Sequence, residues 1–260
     1  MKIKFKWIGG ATWILSVDHV KIACDPVLCS KGGVQDYGFF KTVRLNDPVY
    51  DSGDFENIDL WLLTHNHEDH LDANGLSRID SKSNIVCHGS VPDSLPYRNS
   101  EKKIILKWGE IYNYDYGDLK ISIKSVPGIH SKIRILSKII SDNNGYVLTC
   151  SNKKKTVSFY ITGDDVFNEK RLKKFEKNKI DFVIANAGSA HVGYGIFGKL
   201  IGRITNNTDD ILTMIESLNA KYLFPVHYGT FKHYLESNYD HLSHESLKIV
   251  KPGGDFEWEE

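Results

Sequence analysis

Thr64-His65-Asn66-His67-Glu68-Asp69-His70 is the stretch on which this sequence is centred, and it contains four strong metal ligands: His65, His67, Asp69 and His70. Residues 59–64 before the histidines are apolar and β-prone, which predicts a buried strand. After the stretch, Asp72 is a candidate N-cap for a helix predicted over residues 72–81. The ligands are therefore expected on a turn between a strand end and a helix start, where loops on a rigid scaffold carry function.

The H-x-H-x-D-H spacing can divide these side chains between two cations. His65 and His67 can reach one cation, while Asp69 and His70 reach a second cation beside it. Two metals roughly 3.5–4 Å apart can polarise a substrate oxygen and hold a hydroxide between them. Imidazole and carboxylate ligands suit zinc, and also manganese or iron. The alternative, a histidine-rich surface loop, is disfavoured because four ligands in six positions directly follow an apolar strand.

Length and composition predict one globular domain over residues 1–260, with 41% hydrophobic and 25% charged residues. Lys+Arg and Asp+Glu are both 33, so no nucleic-acid partner is expected and a small-molecule substrate is favoured. The four cysteines form no CxxC pair, which predicts a reduced, cytoplasmic chain. Neither a signal peptide nor a transmembrane segment is predicted.

The first motif alone has too few ligands for two metals, so further histidines and aspartates are expected downstream. His130 follows a predicted strand and the pair Pro127-Gly128, and we favour it as the missing nitrogen ligand. A carboxylate at a strand end after Gly163 suits a bridging ligand, because its two oxygens can reach both cations. Asp164 and Asp165 both satisfy this pattern. At the end of the last predicted strand, His227 is interpreted as the final ligand.

Other residues allow two interpretations each. Asp25 ends a strand and either faces the metal site or simply begins a turn before Pro26. His191 either binds substrate and acts as an acid, or is an ordinary loop residue. The Gly-spaced apolar segment 192–205 is a substrate lid, a subunit contact in a homo-oligomer, or a packed connection. A structural position is predicted for His88. Surface positions on helical segments are predicted for His233, His241 and His244.

Predicted elements alternate along the chain without a linker or a repeat. Residues 1–24 are expected to form a β meander, and the irregular stretch 25–58 is long enough to be functional or flexible. Helices are predicted over residues 168–178 and 208–218, the latter with Thr208 as N-cap. Further strands are predicted at residues 84–88, 104–106, 111–114, 119–126, 145–150, 156–161, 181–187 and 221–226. Two β-rich halves, each followed by helices, indicate two facing sheets covered by helices.

The order of these strand-end residues resembles the metallo-β-lactamase superfamily over nearly the whole chain. More narrowly, the sequence is similar to the branch of metal-dependent hydrolases that includes the ascorbate-6-phosphate lactonase and the phospholipase D acting on N-acyl phosphatidylethanolamines. Besides the ligands, the resemblance rests on Gly10-Ala11-Thr12, Asp25-Pro26, Val126-Pro127-Gly128-Ile129-His130, Asn144-Gly145-Tyr146, Thr162-Gly163-Asp164 and Pro225-Val226-His227-Tyr228-Gly229-Thr230-Phe231. Residues 188–204 match no part of the pattern.

The resemblance implies a four-layer αββα sandwich of two mixed sheets, with the metals at one edge. It assigns three ligands to one metal and three to the other: His65, His67 and His130, then Asp69, His70 and His227. The resemblance also favours Asp164 over Asp165 as the carboxylate that would bridge the two ions.

The implied function is a metal-dependent hydrolase with a dinuclear site, most simply with two zinc ions. A bridging hydroxide, oriented by Asp69, would cleave an ester, lactone or phosphodiester bond, with a metal-bound water or His191 as leaving-group acid. One alternative is a nuclease-type phosphodiesterase, which the zero net charge disfavours. A second is an iron-based redox enzyme, whose relatives carry Glu where this sequence has His67. A third is a non-catalytic, metal-binding regulatory protein.

Overall fold

The computed structural model describes residues 1–38, 40–95, 102–130, 142–191 and 202–259, and strands dominate these ranges. Numbered in chain order, the strands are β1 (Lys2–Gly9), β2 (Thr12–Val17), β3 (Val20–Cys24), β4 (Val34–Asp36), β5 (Lys41–Val43), β6 (Leu60–Leu63), β7 (Asn84–Cys87), β8 (Lys103–Ile105), β9 (Ile111–Tyr116), β10 (Leu119–Gly128), β11 (Asn143–Ser151), β12 (Thr156–Ile161), β13 (Phe182–Asn186), β14 (Tyr222–Val226) and β15 (Asp255–Glu259). The strands predicted from the sequence agree with these bounds to within two residues. The hairpin β4–β5 and the C-terminal strand β15 were not predicted.

Two mixed sheets are formed from these strands. The first has seven strands in the order β15-β1-β2-β3-β6-β7-β8, and the second has six in the order β14-β13-β12-β11-β10-β9. Strands β3, β6, β7 and β8 pair in parallel, as do β12, β13 and β14. Because parallel neighbours end on the same side, each sheet gathers several carboxyl ends of strands at one edge.

The continuous apolar run of β6 is explained by its central position in the first sheet. Leu60 and Leu62 pack into the main core between the sheets, which includes a stacked contact of Phe5 with Phe224 at 4.7 Å. On the opposite face of β6, Trp61 and Leu63 belong to a second buried cluster. Alternate side chains of a strand point to opposite faces, so a strand covered on both faces must be apolar throughout.

Helices are few and short in the described residues: α1 (Ala73–Leu76), α2 (Glu169–Phe175) and α3 (Thr208–Leu218). Asp72 does cap α1, accepting a hydrogen bond from Gly75 N at 2.6 Å, but the helix predicted to residue 81 ends at Leu76. Asn74 and Gly75 are weak helix formers, which limits this segment to one turn. None of the helices within the described ranges is long and apolar enough to cross a membrane.

Two other helix predictions need correction. The N-cap of α3 is Asn207, whose side chain accepts a hydrogen bond from Asp210 N, and not Thr208. The helical C-terminal segments predicted around His233, His241 and His244 are wrong, because turns and bends occupy this part of the chain. The helix predicted over residues 168–178 is present as α2, with Leu172 buried and Phe175 packed against the main core.

The two sheets are joined at the edge where the predicted ligands lie. Asn144 N donates to Thr64 O at 3.0 Å, which connects β11 to the residue that follows β6. The hydroxyl of Tyr146 donates to Leu63 O at 2.8 Å. At the other side of the edge, His227 N donates to Gly10 O at 2.9 Å. These bonds fix the strand ends of one sheet against those of the other.

Replacement of Gly75 by Ala tests how closely α1 is packed against the turn that carries Asp25. A Cβ on Gly75 would lie 1.8 Å from Pro26 O, and a backbone atom cannot move aside as a flexible side chain can. Alanine would favour an unconstrained helix by about 0.5–1 kcal/mol, but overpacking costs about 1–3 kcal/mol and should dominate here. We expect Gly75→Ala to lower the free energy of unfolding, measured by urea titration.

Gly53→Ala is the matched control, because a Cβ there meets no atom within 4 Å. Its urea midpoint should stay close to that of the unaltered protein. Equal midpoints for the two variants would contradict the packing described for α1.

Candidate metal centre

The turn after β6 brings its histidines together through backbone hydrogen bonds. His70 N and Leu71 N both donate to His67 O at 2.9 Å, so the chain folds back within four residues. β6 ends at Leu63, and His65, two residues further along the chain, is fully buried. Side chains from one turn therefore face the ends of β10, β12 and β14.

A first group of possible metal ligands consists of His65, His67 and His130, with one ring nitrogen of each within 4.8 Å of the others. His65 Nε2 lies 2.9 Å from His67 Nδ1. Burial, together with the neighbouring imidazole of His130, lowers the pKa of His67 to about 4. Burial also holds the pKa of His65 well below its ordinary value. Neutral imidazoles are the form that binds a metal.

A second group consists of Asp69, His70, Asp164 and His227, again within 4.8 Å and all buried. His70 Nε2 lies 3.1 Å from His227 Nε2 and 3.1 Å from Asp164 Oδ1. Burial opposes the protonation of His70, but the carboxylates of Asp164 and Asp25 outweigh it and raise its pKa well above the usual value. A cation at this position would meet the same negative charge.

The carboxylate of Asp164 lies between the two groups. Its Oδ1 is 3.1 Å from His70 Nε2 and 3.6 Å from His227 Nε2, whereas its Oδ2 is 3.7 Å from His130 Nε2. Burial favours the neutral acid, but the facing imidazoles of His70 and His227 hold the pKa of Asp164 well below its ordinary value. Among the described residues, none forms a hydrogen bond with the buried Oδ2. An ionised, buried oxygen without a donor fits a metal ligand.

Asp165 has a different environment from its neighbour. Its carboxylate forms an ion pair with Arg171 and accepts a hydrogen bond from Ile129 N at 2.9 Å. Burial raises the pKa of Asp165 despite the opposing charge of Arg171. Asp165 therefore supports the turn that carries His130 and does not belong to either ligand group.

Asp25 faces the second group, which favours the first of its two interpretations. The ring of His70 donates from Nδ1 to Asp25 Oδ2 at 2.7 Å. Thr64 holds the same carboxylate through its hydroxyl at 2.6 Å and its backbone N–H at 2.7 Å. If a cation replaced the second ring proton, the remaining proton would stay on Nδ1 beside Asp25, and the lone pair of Nε2 would point into the group.

Buried amides and two glycines hold Asp164 from the other side. Asn186 Nδ2 donates to Asp164 Oδ1 at 3.0 Å, and Asn143 Nδ2 donates to the Asp164 carbonyl at 2.6 Å. A Cβ at Gly128 would lie 2.0 Å from Asn143 Oδ1, and one at Gly163, which has φ +59°, would lie 2.6 Å from the same atom. Glycine at both positions allows the asparagine to approach.

Three residues that contact Asp69 were not predicted at the site from the sequence. Tyr37 donates to Asp69 Oδ1 at 2.7 Å and Tyr234 donates to Oδ2 at 3.0 Å. His233, predicted at the surface, is buried, and its Nε2 lies 3.6 Å from Asp69 Oδ2. Burial alone would raise the pKa of Asp69, but the neighbouring ring of His233 and the charges of His70 and His227 lower it.

The unusual length of the irregular stretch 25–58 is the sequence feature that could have indicated a residue such as Tyr37 at the site. Part of this stretch docks on the ligand turn: Gln35 Nε2 donates to Glu68 O at 2.6 Å and Asp36 N donates to Glu68 Oε2 at 2.9 Å. No comparable pattern indicated Tyr234, whose hydroxyl also lies 2.9 Å from His227 Nε2.

His191 and the remaining histidines lie outside both ligand groups. His191 donates from Nδ1 to Ser189 O at 2.8 Å, and its backbone N–H donates to His233 O at 3.0 Å. His88 accepts a hydrogen bond from Ser90 N at 3.2 Å, in agreement with a structural role, and His241 and His244 are exposed as predicted. The predicted lid or subunit contact falls mostly on residues 192–201, outside the described residues.

Comparison with known proteins gives the chain a family. The sequence model of the beta-lactamase superfamily domain matches residues 4–227. The chain is 25% identical over 251 residues to N-acyl-phosphatidylethanolamine-hydrolyzing phospholipase D 1 of Caenorhabditis elegans, a match that covers 88% of this chain and 66% of that protein. It is 27% identical over 183 residues to a UPF0173 metal-dependent hydrolase of Pyrococcus horikoshii, covering 68% of this chain and 70% of the other.

Solved structures show the same fold. An isothiocyanate hydrolase from Delia radicum gut bacteria superimposes with a TM-score of 0.77 at 20% identity, covering 97% of this chain and 98% of that chain. A possible metal-dependent hydrolase of Veillonella parvula gives a TM-score of 0.76 at 18% identity, covering 98% and 99%. The predicted sandwich of two mixed sheets and the predicted class of enzyme, a metal-dependent hydrolase, are confirmed. The chain belongs to the beta-lactamase superfamily.

Proposed function

We propose that this protein uses two divalent metal ions to hydrolyse an ester, lactone or phosphodiester bond of a small-molecule substrate. The observation that carries this proposal is the position of Asp164, whose two carboxylate oxygens face different ligand groups. A carboxylate with one oxygen toward each of two nitrogen-rich groups is what a bridging ligand requires. The name of the C. elegans relative supports the phosphodiester as one of the candidate bonds.

In this proposal, the ligand groups divide as the family resemblance implies. His65, His67 and His130 would hold one ion, and Asp69, His70 and His227 would hold the other, with Asp164 available to both. Imidazole with carboxylate suits zinc best, and manganese or iron remain chemically compatible. Two such ions would supply a water-derived nucleophile at neutral pH and polarise the oxygen of the substrate.

The residues around the ions have separate tasks. Asp69 is fixed by the hydroxyls of Tyr37 and Tyr234, so its carboxylate can orient the attacking water without rotating. Asp25 keeps His70 in one tautomer and one orientation.

His191 is our candidate for delivering a proton to the leaving group. Because its Nδ1–H is bonded to Ser189 O, the proton would have to leave from Nε2 of the charged ring.

We also propose a cytoplasmic location, supported by the absence of a disulfide among Cys24, Cys29, Cys87 and Cys150.

Metal stoichiometry of point variants tests the dinuclear arrangement. We expect about two equivalents of zinc in the unaltered protein and about one in either His67→Ala or His227→Ala, because each variant removes a ligand from one group only. Asp164→Ala should lose metal from both groups and lose activity together with it. Elemental analysis after equilibration with buffered zinc measures all four proteins.

Asp115→Asn is the control, since this exposed carboxylate lies on the edge strand β9. It should keep the metal content of the unaltered protein. An Asp164→Ala variant that retains both ions and its turnover rate would contradict the bridging role.

Hydrolysis of two model substrates tests which bond is attacked. Metal-loaded protein is incubated with bis(4-nitrophenyl) phosphate and with a γ-lactone, each with and without a chelator. We expect cleavage of at least one substrate, abolished by the chelator and restored by added zinc, because the ions provide the nucleophile. Cleavage that persists after complete metal removal would contradict the proposed mechanism.

A further inference from the structure

A groove of about 430 Å³ opens at the same sheet edge as the ligand groups. We name it the Trp108 groove. Its apolar side chains are Ile105, Leu106 and Trp108, and polar side chains also line it, among them Lys107, Asp142 and Asn144. Its volume lies in the range of about 300–1,000 Å³ that is typical of small-molecule sites. None of its residues belongs to either ligand group.

Strand order places the groove beside the first ligand group. β6, β7 and β8 are parallel neighbours, so the residues that follow them lie side by side. His88 N donates to Leu63 O and Leu106 N donates to Cys87 O, both at 3.1 Å, which continues the pairing past the strand ends. Asn144 N is bonded to Thr64 O, the residue before His65.

Asn143 connects the groove directly to the first ligand group. Its backbone carbonyl accepts a hydrogen bond from Trp108 Nε1 at 3.0 Å. Its side-chain Nδ2 lies 3.4 Å from His130 Nδ1 and donates to the Asp164 carbonyl. One residue therefore separates the indole of Trp108 from a proposed metal ligand.

Part of the groove surface is hydrocarbon, from Ile105 and Trp108, and it lies beside polar side chains that include Asp142. The only polar atom of the Trp108 side chain is bonded to Asn143 O, so its remaining ring surface is apolar. Ile105, the last residue of β8, is 46% exposed, and the next residue, Leu106, is buried. Exposed aliphatic and aromatic groups that share a concave surface commonly mark a binding site.

We propose that the Trp108 groove binds a flexible acyl or alkyl chain of the substrate and so places the scissile bond at the ligand groups. This inference rests on the proposed hydrolase function, because it assigns the groove to the substrate of that site. A groove with this role selects substrates in which an apolar chain lies next to the ester, lactone or phosphodiester group. A purely polar substrate would leave Ile105 and Trp108 in contact with water.

Binding of a bromine-labelled chain by metal-loaded, full-length protein tests the inference without turnover. The probe is 11-bromoundecanoate, whose bromine quenches tryptophan fluorescence on contact, and acetate is the short-chain control. We expect saturable quenching by the long chain that is lost in Trp108→Phe. Trp258→Phe is the matched control, because this half-buried tryptophan lies on β15 at the opposite edge of the first sheet.

A second pair of variants does not depend on Trp108 and its hydrogen bond. Ile105→Ser removes hydrocarbon from the groove, while Ile111→Ser removes it from β9 outside the groove, where Ile111 is 50% exposed. We expect Ile105→Ser to weaken binding of the probe by at least about fourfold, the factor that corresponds to the loss of one buried methylene, and Ile111→Ser to leave it unchanged.

Each outcome decides the inference. No quenching in the unaltered protein, quenching that survives Trp108→Phe, or equal effects of the two isoleucine variants would overturn it. The hydrolysis assays can fail separately from the binding assay. Saturable binding of the bromine-labelled chain without any metal-dependent cleavage would contradict the proposed function but would still support the groove assignment. Chelator-sensitive cleavage with the same KM for short-chain and long-chain substrates would contradict the groove assignment and not the proposed function.

Discussion

A buried, ionised carboxylate is the constraint on which the functional edge of this protein depends. Removing a carboxylate from water costs several kcal/mol even after the protein relaxes, and the cost is offset only by charges and donors that surround it. Asp164 Oδ1 accepts one hydrogen bond from the side-chain amide of Asn186. Imidazoles from both ligand groups face its two oxygens. The ends of β10, β12 and β14 have to meet the turn after β6 because that is how these partners reach Asp164.

The supporting residues come from distant parts of the chain, and they act by fixing the ligands in one orientation. Asp25 holds His70, whereas Tyr37 and Tyr234 hold Asp69. The stretch 25–58 is therefore ordered against the ligand turn where the structure describes it, through the contacts of its hairpin with Glu68. A long connection in a compact domain had two predicted explanations, function or flexibility, and these contacts favour function.

What could be predicted from the sequence was local in origin. The apolar run of β6, the cap at Asp72 and the histidines at strand ends each depend on neighbours within a few residues. His233 could not be placed correctly, because its position depends on Thr42, to which its Nδ1 is bonded at 2.9 Å. The choice between Asp164 and Asp165 was equally non-local, because the position of Arg171 gives Asp165 its own partner. A helical pattern after residue 230 was misleading for the same reason: tertiary contacts override propensity in short segments.

The surroundings of the two ligand groups differ in a way that fits hydrolysis of an amphipathic molecule. The second group borders phenolic hydroxyls, which can hold a carboxylate and a water in fixed orientations. Near the first group, beyond Asn143, the Trp108 groove offers hydrocarbon. A substrate chain that fills this groove would exclude water from one side of the centre, and polar interactions there would become stronger as water leaves. Asn143 accepts a hydrogen bond from Trp108 and also contacts Asp164 and His130, so in our proposal substrate recognition and metal geometry would depend on one residue. For that reason a change at Asn143 would alter chain-length preference and metal binding together, whereas a change at Ile105 would alter the preference alone.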